Sequence, residues 1–230
     1  MMSAFHARLE QVTKSYVTMG QRHAVFRDLD LEFARGVNLG VIGPNGSGKS
    51  TLLRLIAGAD VPDRGRVVRY SRLSWPIGFA GVFDPALSGI ANARFCARIY
   101  GRDPNEVTDF ASDFSGLGDF MKWPLEGYSA GMRARYAFGL SMAIDFDCML
   151  IDEVLGVGDQ DFRAKCAAAL EQRRQTSDII LVSHNLKDII RLCDRVLILG
   201  GRKPVISDDV AKTVKRYSYA LSGAIEDIDA

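Results

Sequence analysis

Four short apolar runs stand out along the chain: Asn38–Ile42, Cys148–Ile151, Ile179–Val182 and Val196–Leu199. Each is too short for a helix and is bounded by polar or glycine positions, which predicts strands buried on both faces. Elsewhere apolar residues recur at helical spacing, predicting helices from about Lys49 to Ala57, Phe162 to Arg174, Asn185 to Leu192 and Val210 to Leu221. Strands alternating with helices predict an α/β fold around a largely parallel sheet. The N-terminal part reads differently, because "FRDLDLEF" (26–33) ends in a period-two alternation, the pattern of a half-buried antiparallel strand.

The middle of the chain carries little that resembles a strand. From about Ala86 to Ile144 the stretches "SGIANARFCARIYG", "NEVTDFASDFSGLGDF" and "SAGMRARYAFGLSMAI" each have a helical pattern, separated by Gly, Pro and Asp. An all-helical insertion in an α/β core is the simplest organisation. It divides one domain, 1–230, into a core of residues 1–85 and 145–230 and a helical subdomain of residues 86–144.

Composition narrows the partners. A 47% hydrophobic and 25% charged chain is that of an ordinary globular protein, and a formal net charge of +1 gives no bulk electrostatic case for nucleic acid or an anionic membrane surface. Cysteines 96, 148, 166 and 193 form no Cys-x-x-Cys, and no histidine stands at metal-ligand spacing. Buried thiols in a reducing compartment are expected rather than a disulfide framework or zinc site. The opening "MMSAFHARLE" lacks the basic-then-apolar order of a signal peptide, and no run approaches the roughly 18 to 20 apolar residues of a membrane helix. A cytoplasmic chain is expected.

The sharpest chemistry lies at Gly43-Pro44-Asn45-Gly46-Ser47-Gly48-Lys49-Ser50, a full match to G-x-x-x-x-G-K-[ST], followed by Thr51. "NLGVI" precedes it as a strand and "STLLRLIAG" follows as a helix. Such a loop wraps phosphate with backbone N–H groups, and the helix N-terminus adds a favourable dipole. Lys49 is expected to reach the β- and γ-phosphates and the Ser50 hydroxyl to ligate Mg²⁺. The strand "CMLIDE" delivers Asp152 and Glu153 to a carboxyl edge, where α/β ligand sites lie. Two acids after a strand often serve a turn or cap, but with the phosphate loop upstream Asp152 is expected to hold Mg²⁺ through its water shell and Glu153 to polarise an attacking water. "IILVSH" ends in His184, placed to hydrogen-bond the γ-phosphate and position that water.

Taken in order, Tyr16, the loop at 43–50, "YSAGMRAR" (128–135), "LIDE", "GVGD" and His184 resemble the nucleotide-binding subunit of ABC transporters, across nearly the whole chain. The resemblance implies a P-loop, RecA-like α/β core with an antiparallel β subdomain and an inserted helical subdomain. It implies an ATP hydrolase that uses ATP and Mg²⁺ and dimerises with a second copy of itself. Ser129, Ala130 and Gly131 would then begin a signature helix that caps the γ-phosphate of ATP held by the other copy. The motif departs from Leu-Ser-Gly-Gly-Gln at Tyr128, Ala130 and Met132, while Ser129 and Gly131 are kept. Tyr16 matches the aromatic residue that stacks on adenine. Asp159 matches the loop that crosses the dimer interface, and it also suits a helix cap before "QDFRAKC".

One departure concerns metal. The family places a Gln after the first core region, yet no Gln stands between Gln21 and Gln160, and Asp84 in "GVFDPALSG" occupies the matching place. Asp84 is expected to keep the metal contact in modified form.

Within the family, "SWPIGFAG", "YSAGMRAR" and "LSMAIDFDCMLIDEVLGVGD" look like the ATPases that export capsular polysaccharide across the inner membrane of Gram-negative bacteria, with O-antigen and teichoic acid exporters as the alternative. That resemblance implies a peripheral subunit on the cytoplasmic face, a multi-span membrane permease as partner, a polysaccharide handled by that partner, and no nucleic acid. Residues 76–100 would meet the permease, with Phe79, Phe83, Phe95 and Tyr100 as candidate contacts. Rival readings are a soluble ABC ATPase acting on ribosomes or DNA, and a subunit that binds ATP without turning it over.

Overall fold

The structure is a computed structural model that describes residues 3–77, 82–152, 159–201 and 203–221. Glu153 and Phe79 lie outside the described residues. The chain forms two compact units, one of residues 1–73, 147–152 and 178–230, the other of residues 74–146 and 153–177. The described residues 159–177 fall in the same unit as the helical stretches of the middle of the chain.

The first unit contains two sheets. β1 (Phe5–Thr18) and β2 (Gln21–Ala34) form a hairpin through Met19 and Gly20, both at positive φ (50° and 76°). Two such residues make the turn whose twist suits a two-residue hairpin. β4 (Arg64–Arg69) pairs with the other edge of β1, giving the order β2-β1-β4. The alternation predicted in β2 is present, with Leu29, Leu31 and Phe33 buried and the acids between them exposed. Its one slip, from Phe26 to Leu29, is a bulge at Asp28 (φ 47°), whose N–H donates to Thr13 Oγ1 at 3.1 Å.

The second sheet of this unit runs β6 (Cys148–Asp152), β7 (Asp178–Val182), β3 (Leu39–Ile42), β8 (Arg195–Ile198), β9 (Val205–Ser207). Its first four strands are parallel and β9 is antiparallel to β8. The four apolar runs of the sequence are these four parallel strands, and their unbroken hydrophobicity follows from burial on both faces. Helix α1 (Lys49–Ala57) buries Leu52, Leu53, Leu55 and Ile56 in a core shared with Leu9, Phe26, Val41, Leu150 and Val182. α6 (Leu186–Leu192) and α7 (Val210–Leu221) complete the unit. A buried histidine pins the start of β1 to the start of β7: His6 Nε2 lies 2.6 Å from Asp178 Oδ2 and His6 Nδ1 lies 2.8 Å from Ser71 Oγ.

The second unit opens on β5 (Leu73–Ile77) and continues with α2 (Gly89–Ile99), α3 (Pro104–Ser115), α4 (Ala130–Met142) and α5 (Gln160–Arg173), with short 3-10 turns at Gly118–Lys122 and Leu125–Gly127. α3 starts as its sequence dictates, with Asp103 accepting from Asn105 N and Glu106 N and Pro104 in the first turn. Two aromatic clusters fill this unit. Trp75 packs edge-on against Phe83, Tyr100 and Phe146, while Phe114 packs against Phe138 and Phe162.

Candidate functional site

Parallel pairing sets Val41 and Asp152 level with Val182. The phosphate loop begins two residues beyond that level and His184 follows the end of β7 by two residues, so loop, acid and histidine emerge at one carboxyl edge. Asp152 is half-buried there and His184 is exposed.

The loop itself is shaped for an anion. α1 begins at Gly48, whose φ of 96° is left-handed, and no side chain caps the helix. The first N–H groups of a helix have no intrahelical carbonyl, and no side-chain cap stands in for one here. A Cβ on Gly48 would come within 2.5 Å of Val25 Cγ1 and 2.7 Å of Phe26 Cζ. A Cβ on Gly43 would meet Leu199 O at 2.4 Å, because the loop lies directly on the strand end of β8. Lys49 is buried and folds back, donating to Gly43 O at 2.8 Å and Pro44 O at 3.0 Å. Its charge rests on the carbonyls at the mouth of the loop. Ser47 Oγ is buried with no hydrogen-bond partner among the described residues, and it lies on the side of Gly43 that faces Leu199. Ser50 is exposed at the helix start. The donor set fits the expected groups: orphaned N–H groups and a lysine for phosphate, and a hydroxyl with a carboxylate, hard oxygen ligands, for Mg²⁺.

Tyr16 is attached to this loop by a relay that the sequence did not signal. Its hydroxyl donates to Asp60 Oδ2 at 2.7 Å, and Arg54 Nη2 reaches both Tyr16 Oη and Thr51 Oγ1 at 3.3 Å. Lys14 Nζ lies 5.0 Å from the ring centroid and donates to Asp60 Oδ1 at 2.6 Å. Burial raises the Asp60 carboxyl, but the hydrogen bonds from Lys14 and Tyr16 outweigh it and hold the group below the ordinary carboxylate range. The clue to Arg54 was its position three residues after Thr51 on one helix face.

In the second unit, Ser129 is the N-cap of α4 and accepts from Met132 N at 3.2 Å. Ser129 and Ala130 are exposed, and among the described residues, the helix's own backbone aside, a Cβ built on Gly131 would come near only Ser129 Oγ, at 3.9 Å. The helix start is open, as close approach requires. Tyr128, the departure at the head of the motif, is buried and its hydroxyl donates to Phe120 O at 2.6 Å. It anchors the helix from beneath. Asp84 is exposed, and its carboxylate accepts from Ala86 N at 2.9 Å in a tight turn. Buried Asn92 clamps the Asp84 backbone, accepting its N–H at 3.0 Å and donating to its carbonyl at 2.9 Å. Asp159 caps α5 through Phe162 N at 2.8 Å and pairs with Arg135. Phe83 is buried and Tyr100 packs with Trp75, so both serve the core, whereas Phe95 is 60% exposed. Glu153 cannot be placed, since it lies outside the described residues.

Residues 26–156 match the family model described as ABC transporter. The polysialic acid transport ATP-binding protein KpsT of Escherichia coli is 45% identical over 84% of this chain and 89% of its own. The capsule polysaccharide export ATP-binding protein CtrD of Neisseria meningitidis serogroup B is 40% identical over 91% and 97%. An O-antigen export system ATP-binding protein, RfbB of Klebsiella pneumoniae, is 33% identical over 88% and 84%. An ATP-binding cassette solved as a dimer with ADP and Pi superimposes with a TM-score of 0.72 at 18% identity, covering 88% of this chain and 98% of that one. Matched by the family model over residues 26–156 and by relatives along most of its length, this chain belongs to the ABC transporter ATP-binding family.

Proposed function

We propose that this chain is the ATP-hydrolysing subunit of an exporter of capsular polysaccharide, acting as a homodimer on the cytoplasmic face of the inner membrane beneath a separate permease. The observation that carries the reading is identity of 40–45% with capsule-export ATP-binding proteins over most of both chains, against 33% for an O-antigen relative.

In this reading ATP enters the loop at 43–50, and Lys49 exchanges the carbonyls of Gly43 and Pro44 for phosphate oxygens. Backbone N–H groups at the start of α1 take the remaining phosphate charge. Ser50 and Asp152 would hold Mg²⁺, which would neutralise charge developing on the phosphates. Glu153 takes a proton from the attacking water and His184 orients the γ-phosphate. Tyr16 offers its ring to adenine, with its hydroxyl fixed by Asp60. Ser129, Ala130 and Gly131 of the second copy close over the same phosphate. No helix among the described residues is long and apolar enough to cross a membrane. For the permease, Phe95 and Ile99 form an exposed apolar stripe on α2, at 60% and 61% exposure.

The test is Glu153→Gln in the full chain. Turnover falls by about 10²–10⁴-fold, the scale of general-base removal, while ATP binding persists and an ATP-bound dimer accumulates. A variant that still turns over at the parent rate would remove Glu153 from the chemistry. Capture of that variant with ATP from solubilised native membranes brings down a multi-span protein in about equal amount. Recovery of ribosomes or DNA-bound proteins instead would end the export reading and leave the ATPase standing.

A further inference from the structure

Arg54 stands in the middle of α1, between the phosphate loop at one end of the helix and the turn at Gly58–Asp60 beyond the other. Long side chains on a helix lean toward its N-terminus. That of Arg54 does so: Nη2 donates to Thr51 Oγ1, three residues back, and to Tyr16 Oη on β1, each at 3.3 Å. Thr51 is buried in the first turn of α1, where the helix N–H groups have no intrahelical carbonyl. The Arg54 backbone serves the opposite end. Its carbonyl accepts the N–H groups of Ala59 at 3.0 Å and Asp60 at 3.2 Å.

The second route returns to the same tyrosine, because Asp60 Oδ2 accepts from Tyr16 Oη at 2.7 Å. A closed ring results: Arg54 side chain to Tyr16, Tyr16 to Asp60, and Asp60 N–H to the Arg54 carbonyl. Lys14 fastens it further, donating to Asp60 Oδ1 at 2.6 Å and Val61 O at 2.8 Å. Two cations lie over the Tyr16 ring, Lys14 Nζ at 5.0 Å and Arg54 Cζ at 5.8 Å from its centroid. A phenylalanine could pack in the same place. The two hydrogen bonds at the hydroxyl add a fixed direction for the ring.

We infer that Arg54 is a positioning residue for base recognition, setting the Tyr16 ring at a fixed place relative to the helix that holds the phosphates. The inference rests on the proposed stacking of adenine on Tyr16. A planar guanidinium directs its N–H groups at fixed angles, whereas an ammonium on a flexible stem does not. Arg54 therefore acts on the part of the affinity that the base contributes, and the phosphate part stays with the loop.

The test is calorimetric titration of the full chain with ATP and with inorganic tripolyphosphate, both with Mg²⁺. The ratio of the two affinities isolates the contribution of the base, because any loss of charge near the phosphates weakens both ligands and cancels. Arg54→Lys keeps the charge and should lower the ratio roughly tenfold, within the range of residues that share one hydrogen-bond network. Arg54→Met should lower the ratio equally, whatever it does to each ligand. Tyr16→Phe keeps the ring and removes the hydroxyl, and it should lower the ratio to the same level. Adding Arg54→Lys to Tyr16→Phe should then change nothing more. A parental ratio in Arg54→Lys, or losses that multiply in the double variant, would overturn the inference. A fall in melting temperature with the ratio kept would do the same, leaving Arg54 as a brace for the turn at Gly58–Asp60. If Arg54→Met fails to fold, Arg54→Lys and Tyr16→Phe carry the cycle. Tyr16→Ala checks the reading beneath: a ratio that survives it means adenine does not stack on Tyr16. A ratio lost in Tyr16→Ala but kept in both Arg54 variants removes only the role of Arg54.

Discussion

Two helix N-termini in this molecule are assigned to the same phosphate, and they are built differently. α1 starts on a left-handed glycine with no side-chain cap and a buried lysine in its first turn. α4 starts on Ser129, whose hydroxyl already satisfies Met132 N. Neither has an acid in its first turn, whereas α3 and α5 carry Glu106 and Asp161 there and use aspartate caps. An acid at a helix start stabilises the helix but repels an incoming anion. The difference between α1 and α4 teaches which end binds and which only completes. In the proposed site α1 would bring the N–H groups of its first turn and the charge of Lys49 to hold a polyphosphate. α4 brings a partly satisfied dipole and small side chains, enough to close on a phosphate already held.

The glycines offer the harshest way to break that contrast. Gly48→Ala forces a left-handed φ on a side chain that also collides with Val25 and Phe26, at a cost of about 1–3 kcal/mol for the backbone strain alone. Thermal stability and monomer ATP affinity should both fall, the latter by tenfold or more. Gly131→Ala meets open space and ordinary helical backbone, so Tm and monomer affinity should hold, with loss confined to ATP-driven dimerisation. Calorimetry and nucleotide titration on the two variants measure both quantities. Equal damage to monomer ATP affinity from the two would mean that the helix ends do not divide the work.

A finer cut separates capping from phosphate contact at Ser129. Aspartate caps a helix about as well as serine, so Ser129→Asp should leave Tm within about 1 °C of the parent. Its charge would face the γ-phosphate, and turnover should drop at least roughly tenfold, since one like-charge contact costs between about 1 kcal/mol in water and about 4 kcal/mol near a protein surface. If Ser129→Asp hydrolyses ATP normally, the start of α4 never reaches the nucleotide.

Legibility in the sequence followed the range of the interaction. The parallel strands and α1 could be read because unbroken apolar runs and a contiguous loop motif encode them locally. The bulge at Asp28 and the hairpin at Met19 could not, since Met19 has no turn-forming chemistry and Gly20 alone did not mark the pair. The same holds at the site. The loop glycines and the Ser129 cap are local signals, while the tie from Asp60 to Tyr16 spans 44 residues and the clamp of Asn92 on Asp84 depends on how one turn meets α2. Phe83 and Tyr100 were candidates for a partner surface because sequence spacing cannot tell an inward aromatic from an outward one. Packing against Trp75 decided both, and Phe95 alone of the described candidates stayed exposed.

The smallest expected effect tests how the first unit holds its adenine platform. Asp60 accepts from Tyr16 and Lys14, and its carboxyl lies below the ordinary range despite burial. A depressed carboxylate contributes stability that is present above its unfolded pKa, near 4, and is lost as pH falls through the folded value. Asp60→Asn keeps the shape and removes the charge, costing about 1 kcal/mol near neutrality and therefore roughly 2–4 °C in Tm for a chain of this size. The gap between parent and variant should begin to narrow below about pH 4 and close only once the pH falls below the lowered folded value, where the parent carboxyl is protonated as well. Paired melts at neutral and acidic pH give the comparison directly. A gap that persists unchanged into acid would show that the Asp60 charge contributes nothing and that Tyr16 is held by packing alone. ATP affinity should follow the same pattern in miniature, falling a few-fold at neutral pH, since the ring of Tyr16 remains while its hydroxyl loses the charged half of its anchor.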